Sequence, residues 1–118
     1  RSCYGHLAGQ VGTALADALL KQQIIAYADG KFRITPKGLD FFLKQDIDMD
    51  SLQNNHKSLI KTCVDVTERR HHIAGPIGDA LLNKFLKLNY LSRVENSRVI
   101  EVTKMGREAF EEEYFMKI

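Results

Sequence analysis

The chain has 118 residues, 44% of them hydrophobic and 27% charged, enough apolar material for a real core and too little one-sided charge for global disorder. Its formal net charge is only +2, so it lacks the basic excess of a strong nucleic-acid binder. No run approaches the roughly 18 apolar residues of a membrane span, there is no secretory leader pattern, and two cysteines do not make a disulfide framework. These features place the chain in the cytoplasm, away from the membrane. It opens Arg1-Ser2-Cys3 without a Met, which we read as a piece of a longer protein.

Taken in order, Leu7, Val11, Ala14, Leu15, Ala18 and Leu19 have helical spacing. Ile24 to Tyr27 is β-prone, Asp29-Gly30 is a hairpin turn signal, and Lys31 to Ile34 alternates as a second strand. Thr35-Pro36 then starts a helix, Thr as N-cap and Pro at the first helical position, with Leu39, Phe42 and Leu43 on its apolar side. A polar stretch through Asn54-Asn55-His56-Lys57 follows, with Leu59-Ile60 the place for a short strand or helix. The spacing of Ile73, Ile77, Leu81, Leu82 and Phe85 predicts a helix over 69–88. Tyr90 to Arg93 and Arg98 to Val102 read as strands turning at Glu95-Asn96. Thr103 caps a last helix to about Tyr114.

The chain resembles itself. Residues 6–15 (HLAGQVGTAL) and 72–81 (HIAGPIGDAL) agree at six of ten positions, 66 residues apart. Farther on, Ile34-Thr35-Pro36-Lys37-Gly38 falls on Val102-Thr103-Lys104-Met105-Gly106. The predicted fold is therefore α+β. It is a tandem repeat of two degenerate winged-helix-like units, each a helix, a hairpin wing and a helix, packed as one compact body. The first unit would occupy 1–45, a linker 46–66 and the second unit 67–118.

Cys3-Tyr4-Gly5-His6-Leu7-Ala8-Gly9 with Gly12, followed by Cys63-Val64-Asp65-Val66-Thr67-Glu68-Arg69-Arg70-His71-His72-Ile73-Ala74-Gly75, resembles the C-terminal half of longer ArsR-type winged-helix transcriptional regulators. The likeness runs from about residue 3 to 110. It departs from the family pattern at Gly5, Val66 and His71, where Asp, Trp and Pro are usual. The resemblance implies a C-terminal regulatory region, sensing an effector, forming a dimer or both. DNA would be bound through an N-terminal domain of the full-length protein. Partners would be DNA by that route, a second copy and a small effector. The helix residues agree, since Gln10, Thr13, Asp17 and Lys21, or Asp79, Asn83, Lys84 and Lys87, place an Asp where a recognition helix would meet phosphate. A protein-interaction module with degenerate winged helices and no ligand is the alternative. An enzyme is not expected, because no nucleophile elbow, phosphate loop or His-Glu-x-x-His is present, and a Cys63–His72 pair lacks a clear third group.

Four groups of residues are candidate sites. Cys3, His6, Cys63 and His72 offer two thiols and two imidazoles, suited to a zinc-like metal if they converge. Simple burial of the cysteines is the competing reading. Arg69, Arg70 and His71 could clamp an anionic effector or acidic partner. Against that stands an internal ion-pair network, with Thr67 as N-cap, Glu68 in the first turn and Arg69 or Arg70 bonded to Asp65 or a C-terminal carboxylate. Lys31, Arg33, Arg93 and Arg98 on the wings could touch DNA backbone. Gly9, Gly12, Gly75 and Gly78 lie in the expected helices and predict tight packing. Asp46-Ile47-Asp48-Met49-Asp50 lacks the Gly and Glu of a calcium loop and is read as solvated linker. Tyr114-Phe115-Met116 is expected to pack on a partner or on a missing domain.

Overall fold

Local codes decide most of the helix ends. In the computed structural model, which describes residues 2–3, 6–48, 59–65, 68 and 70–116 (backbone alone for 2, 3, 6 and 7), helix α1 spans Gly9–Lys21. Gln23, at φ 61°, stops it, and Ile24 N–H returns to Leu19 O at 2.9 Å. That is a left-handed C-terminal cap. Hairpin β3 (Ile25–Ala28) and β4 (Lys31–Ile34) turns at Asp29 and Gly30, both at positive φ as the Asp-Gly signal requires. Helix α2, Pro36–Lys44, begins at Thr35, whose hydroxyl accepts from Gly38 N–H.

The second half repeats these details. Helix α3, Gly75–Lys87, ends at Asn89 (φ 62°), with Tyr90 N–H on Phe85 O at 2.9 Å. Strands β7 (Leu91–Arg93) and β8 (Ile100–Val102) pair, and helix α4, Lys104–Glu113, begins at Thr103, which accepts from Gly106 N–H. Both capping threonines also donate to the preceding turn, Thr35 to Gln23 O and Thr103 to Asn89 O, each at 2.6 Å.

Ahead of each long helix lies a hairpin that periodicity did not predict. β1 (Ser2–Cys3) pairs with β2 (His6–Leu7) before α1, and β5 (Lys61–Asp65) pairs with β6 (Arg70–Ala74) before α3. The helix expected from 69 therefore begins at Gly75. Ala74 is extended (φ −126°, ψ −172°), and Gly75 turns the chain from strand to helix at φ +79°. Ala8 and Gly9 do the same before α1. Gly9 and Gly75 thus serve strand-to-helix corners, while Gly12 and Gly78 are the buried glycines inside helices. Lys61–Asp65, inside the segment expected to be linker, is a strand.

The fold is α+β, with four helices and four two-stranded antiparallel ladders among the described residues. Each half runs hairpin, helix, hairpin, helix, one hairpin more than expected. The halves exchange packing, since α1 lies against β6 and α3 against β2. One core joins them, from Leu15, Leu19 and Phe42 to Ile77, Phe85 and Phe110. Tyr114 and Met116 belong to this core, contrary to the expectation that they wait for a partner, while Phe115 between them is exposed. The Tyr114 ring meets Phe85 at 5.3 Å and Phe41 at 5.8 Å, and its hydroxyl donates to Gln45 Oε1 at 2.9 Å. No described helix is long and apolar enough to cross a membrane.

Candidate functional site

Helix α1 starts at Ala8, which has no side chain able to cap it. The missing acceptor comes from the other half. Asp65, at the end of β5, accepts from Gly9 N–H at 2.6 Å through Oδ2 and from Glu68 N–H at 2.9 Å through Oδ1. The carboxylate thus closes its own hairpin turn and caps a helix 56 residues away. A negative group is favourable at that helix end.

His72, on β6, brings Nδ1 to 3.2 Å from Asp65 Oδ2, and both side chains are about 1% exposed. The contact is within ion-pair distance but lacks the geometry of a hydrogen bond. Arg70, two residues earlier and on the same face of the strand, pairs with Asp17 of α1. The opposite face of the hairpin meets β3–β4. Phe32 N–H donates to Thr62 Oγ1 at 2.8 Å, and the His71 ring stacks on Tyr27 at 5.3 Å. Hairpin β5–β6 is therefore clasped between α1 and the β3–β4 hairpin.

The expected site residues fall as follows. Cys63 and His72 are direct cross-strand partners, as are Cys3 and His6 at the level of backbone register. The side chains of Cys3 and His6, and all of Arg69 and Thr67, lie outside the described residues. Among the described residues no three His, Cys, Asp or Glu groups cluster as metal ligands. Arg70 stands in a strand and bonds Asp17. The helix expected to start at Thr67 begins at Gly75, and Arg70 bonds Asp17 rather than Asp65, while the expected cap at Thr67 and the Arg69 side chain lie outside the described residues. Lys31 and Arg33 are exposed on β4, and Arg93 and Arg98 on or beside the β7–β8 hairpin. Asp65 as the joint between halves was missed. The signal that could have found it is an Ala-Gly helix start with no local cap.

Among the described residues, clefts straddle the halves. One of about 400 Å³ lies between Gln45 to Asp48 at the end of α2 and Ala80, Lys84 and Lys87 of α3. Lys84 donates to Gln45 O and, at 3.0 Å, to Gln45 Oε1, and burial holds its amine below the usual lysine range. Another, about 430 Å³, lies between Gly30 to Phe32 and Ile60 to Thr62. Both are within the size range of small-molecule sites.

Over its whole length the chain is similar to the protein named "Uncharacterized HTH-type transcriptional regulator YdfF" of Bacillus subtilis (strain 168), with 38% identity over 118 residues. The chain spans about half, 52%, of the length of that curated relative. No family model matches the chain, and no solved structure matches it.

Proposed function

We propose that the chain is the regulatory region of an HTH-type transcriptional regulator of the ArsR-like winged-helix kind. It would be a sensing and assembly body made of two degenerate winged-helix units, with the DNA reader in another part of the longer cytoplasmic protein. The observation that carries this reading is the end-to-end likeness to about half of an HTH-type regulator. The burial of α1 supports it. A recognition helix must present an exposed face to base edges. Only Gln10 and Lys21 of α1 are exposed, Thr13 is buried, and Asp17 is bonded to Arg70.

Sensing here means that an effector shifts the balance between two arrangements of the halves, which requires different affinity for each. The clefts and the Asp65–His72 joint both lie at the seam where such a shift would be felt. The test is a gel shift at physiological salt with three proteins: the longer regulator, the same protein without this region, and this chain alone. The reading expects no shift by the chain alone and altered operator affinity or response on its removal. An unchanged operator response without the region overturns it.

One observation favours the interaction-module reading. Leu39 and Leu43, one turn apart on α2, are 41% and 58% exposed, whereas the matching positions on α4 hold Arg107 and Glu111. An apolar pair of that kind suits a protein contact, including a second copy. Light scattering of wild type and Leu43→Glu separates the two readings. A dimer lost on substitution assigns α2 to assembly.

A further inference from the structure

The repeat builds one cleft twice. Ala14, Ala18 and Lys21 of α1 stand 66 residues before Ala80, Lys84 and Lys87 of α3. Spaced by four and then three residues, each set forms one strip of its helix. The α1 strip lines a cleft with Phe115 and Met116, and the α3 strip lines one with Asp46 to Asp48. The facing segments match as well. Asp46 and Phe115 are the left-handed stops after α2 and α4, at φ 61° and 56°. Ile47 and Met116 then return N–H to Phe42 O and Phe110 O at 3.1 and 2.9 Å.

The two clefts are furnished differently. Beside α1, Ala18 and Phe115 leave about 140 Å³. Beside α3, Lys84 and Asp46 hold those places and the volume is about 400 Å³. The architecture therefore does not require the charges, and neither does capping across the seam. Lys84 donates to Gln45 O, the carbonyl ahead of one stop, and Gln22 Nε2 donates to Tyr114 O, ahead of the other, at 2.8 Å. A neutral amide suffices for that task. Burial holds the Lys84 amine below the usual lysine range, so its charge is kept at a cost that Ala18 avoids.

The charges are sorted by wall. Lys84 and Lys87 stand on α3, and Asp46 and Asp48 stand opposite, where the C-terminal end of α2 adds negative potential. Ala80 and Leu88 lie at the two ends of the α3 strip. A plain anion would face two carboxylates here, and a plain cation two ammonium groups. A molecule carrying both charges meets a matching wall at each end, and the wrong wall rejects its competitors.

We propose that the cleft between α3 and the end of α2 is the effector site and takes a small zwitterion, an α-amino acid with an apolar side chain. Its carboxylate would lie on Lys84 and Lys87, its ammonium on Asp46 and Asp48, and its side chain on Ala80 or Leu88. This deepens the regulatory reading and rests on it for its biological use. Gln45 carries the signal, since its Oε1 accepts from Lys84 at 3.0 Å and from the Tyr114 hydroxyl at 2.9 Å. A carboxylate that draws Lys84 away alters the joint between α2, α3 and the segment after α4.

The test titrates the unaltered chain with L-alanine, L-valine and L-leucine and follows its backbone amides by NMR. At least one amino acid should give saturable shifts, largest at Asp46 to Asp48 and Ala80 to Leu88 and smaller at Ala14 and Ala18 in the twin cleft. The analogues of that ligand without the amine and without the carboxylate (for leucine, 4-methylpentanoate and 3-methylbutylamine) should each bind at least about 10-fold more weakly. Lys84→Gln keeps a donor for Gln45 O, and Asp46→Asn keeps a residue that tolerates the left-handed region. Both should melt near wild type, while affinity falls about 10–100-fold for the loss of one charged hydrogen bond. No saturable shift with any of the three, larger shifts in the twin cleft, undiminished binding of either analogue, or wild-type affinity in either variant would each overturn the site. If nothing binds while removal of the region still alters operator response, the site is refuted and the regulatory reading stands. If an amino acid binds as described and removal leaves operator response unchanged, the site stands and the regulatory reading fails.

Discussion

Asp65→Asn is the most informative single change, because it keeps shape and removes one acceptor and a charge. In the folded protein Oδ2 serves Gly9 N–H and faces His72 Nδ1, while Oδ1 serves Glu68 N–H. The asparagine oxygen can take only one of these places. Its best placement is on the Gly9 side, which turns the amide NH2 toward Glu68 N–H, donor against donor. The Glu68 bond is lost, the Gly9 bond falls from charge-assisted to neutral strength, and His72 loses its anion. Bonds to charged groups contribute about 1.5–3 kcal/mol and neutral ones about 1 kcal/mol. The expected loss is therefore about 2–4 kcal/mol, a large share of the roughly 5–15 kcal/mol of a typical domain. In melting temperature that is about 10 °C or more for a domain of this size. Urea unfolding at neutral pH measures it, with Asp17→Asn as the control. The Asp17–Arg70 pair is half exposed on both sides and should contribute under about 1 kcal/mol. Amide exchange should also quicken at Gly9. If Asp65→Asn costs no more than Asp17→Asn, the carboxylate does not join the halves and the reasoning fails.

Four other outcomes are expected. A methyl at Gly38 would overlap the carbonyl oxygen of Ile24, and one at Gly106 that of Tyr90, so either Gly→Ala change should cost at least about 1–3 kcal/mol in urea unfolding. Gly30→Ala meets no neighbour and should cost only about 1 kcal/mol, from its left-handed backbone. Thr35→Ala and Thr103→Ala each remove one cap and should lose about 1 kcal/mol by similar amounts; a marked inequality would show that the two helix starts differ in ways their shared geometry hides. Burial, with the Glu113 charge, pushes the Tyr114 phenol above its usual range. As pH rises past about 10 the unfolded chain ionises first, so stability falls. Tyr114→Phe should flatten that loss, and identical slopes would remove the effect. Finally, with one shared core, unfolding followed by circular dichroism and by tyrosine fluorescence should coincide in one transition. Two separated transitions would mean the halves are stable alone.

What could be read from the sequence was whatever is written locally. Asp29-Gly30 makes its turn wherever it stands, and Thr35-Pro36 and Thr103 carry their own caps, so these hairpins and the helices after them came out near their observed bounds. Strand β6 was misread because Ile73 and Ile77 continue the helical spacing of α3 backwards, while the corner that ends the strand depends on the backbone of Ala74 and Gly75. Its turn held no signal either, since Val66-Thr67 is β-branched and carries no Gly or Asn. The role of Asp65 is non-local by 56 residues, and no window centred on it contains Gly9. Cys3 and His6 stand three residues apart, Cys63 and His72 nine. Only strand register makes them equivalent.

The exchange of packing between the halves couples one to the other. If α1 packed only on its own hairpin, a disturbance at β5–β6 would stay in the second half. Instead α1 rests on β6 and takes its cap from Asp65, and α3 rests on β2. A change in the charge or geometry around His72 is therefore felt at the first residue of α1. Farther along the same helix, Leu19 and Gln22 connect to the core and, through the 2.8 Å bond from Gln22 Nε2, to Tyr114 O at the far end of the chain. Close-packed interiors respond to such changes by switching between discrete packings rather than by bending. A disturbance at this seam therefore reaches both halves through contacts that the fold needs for its own stability.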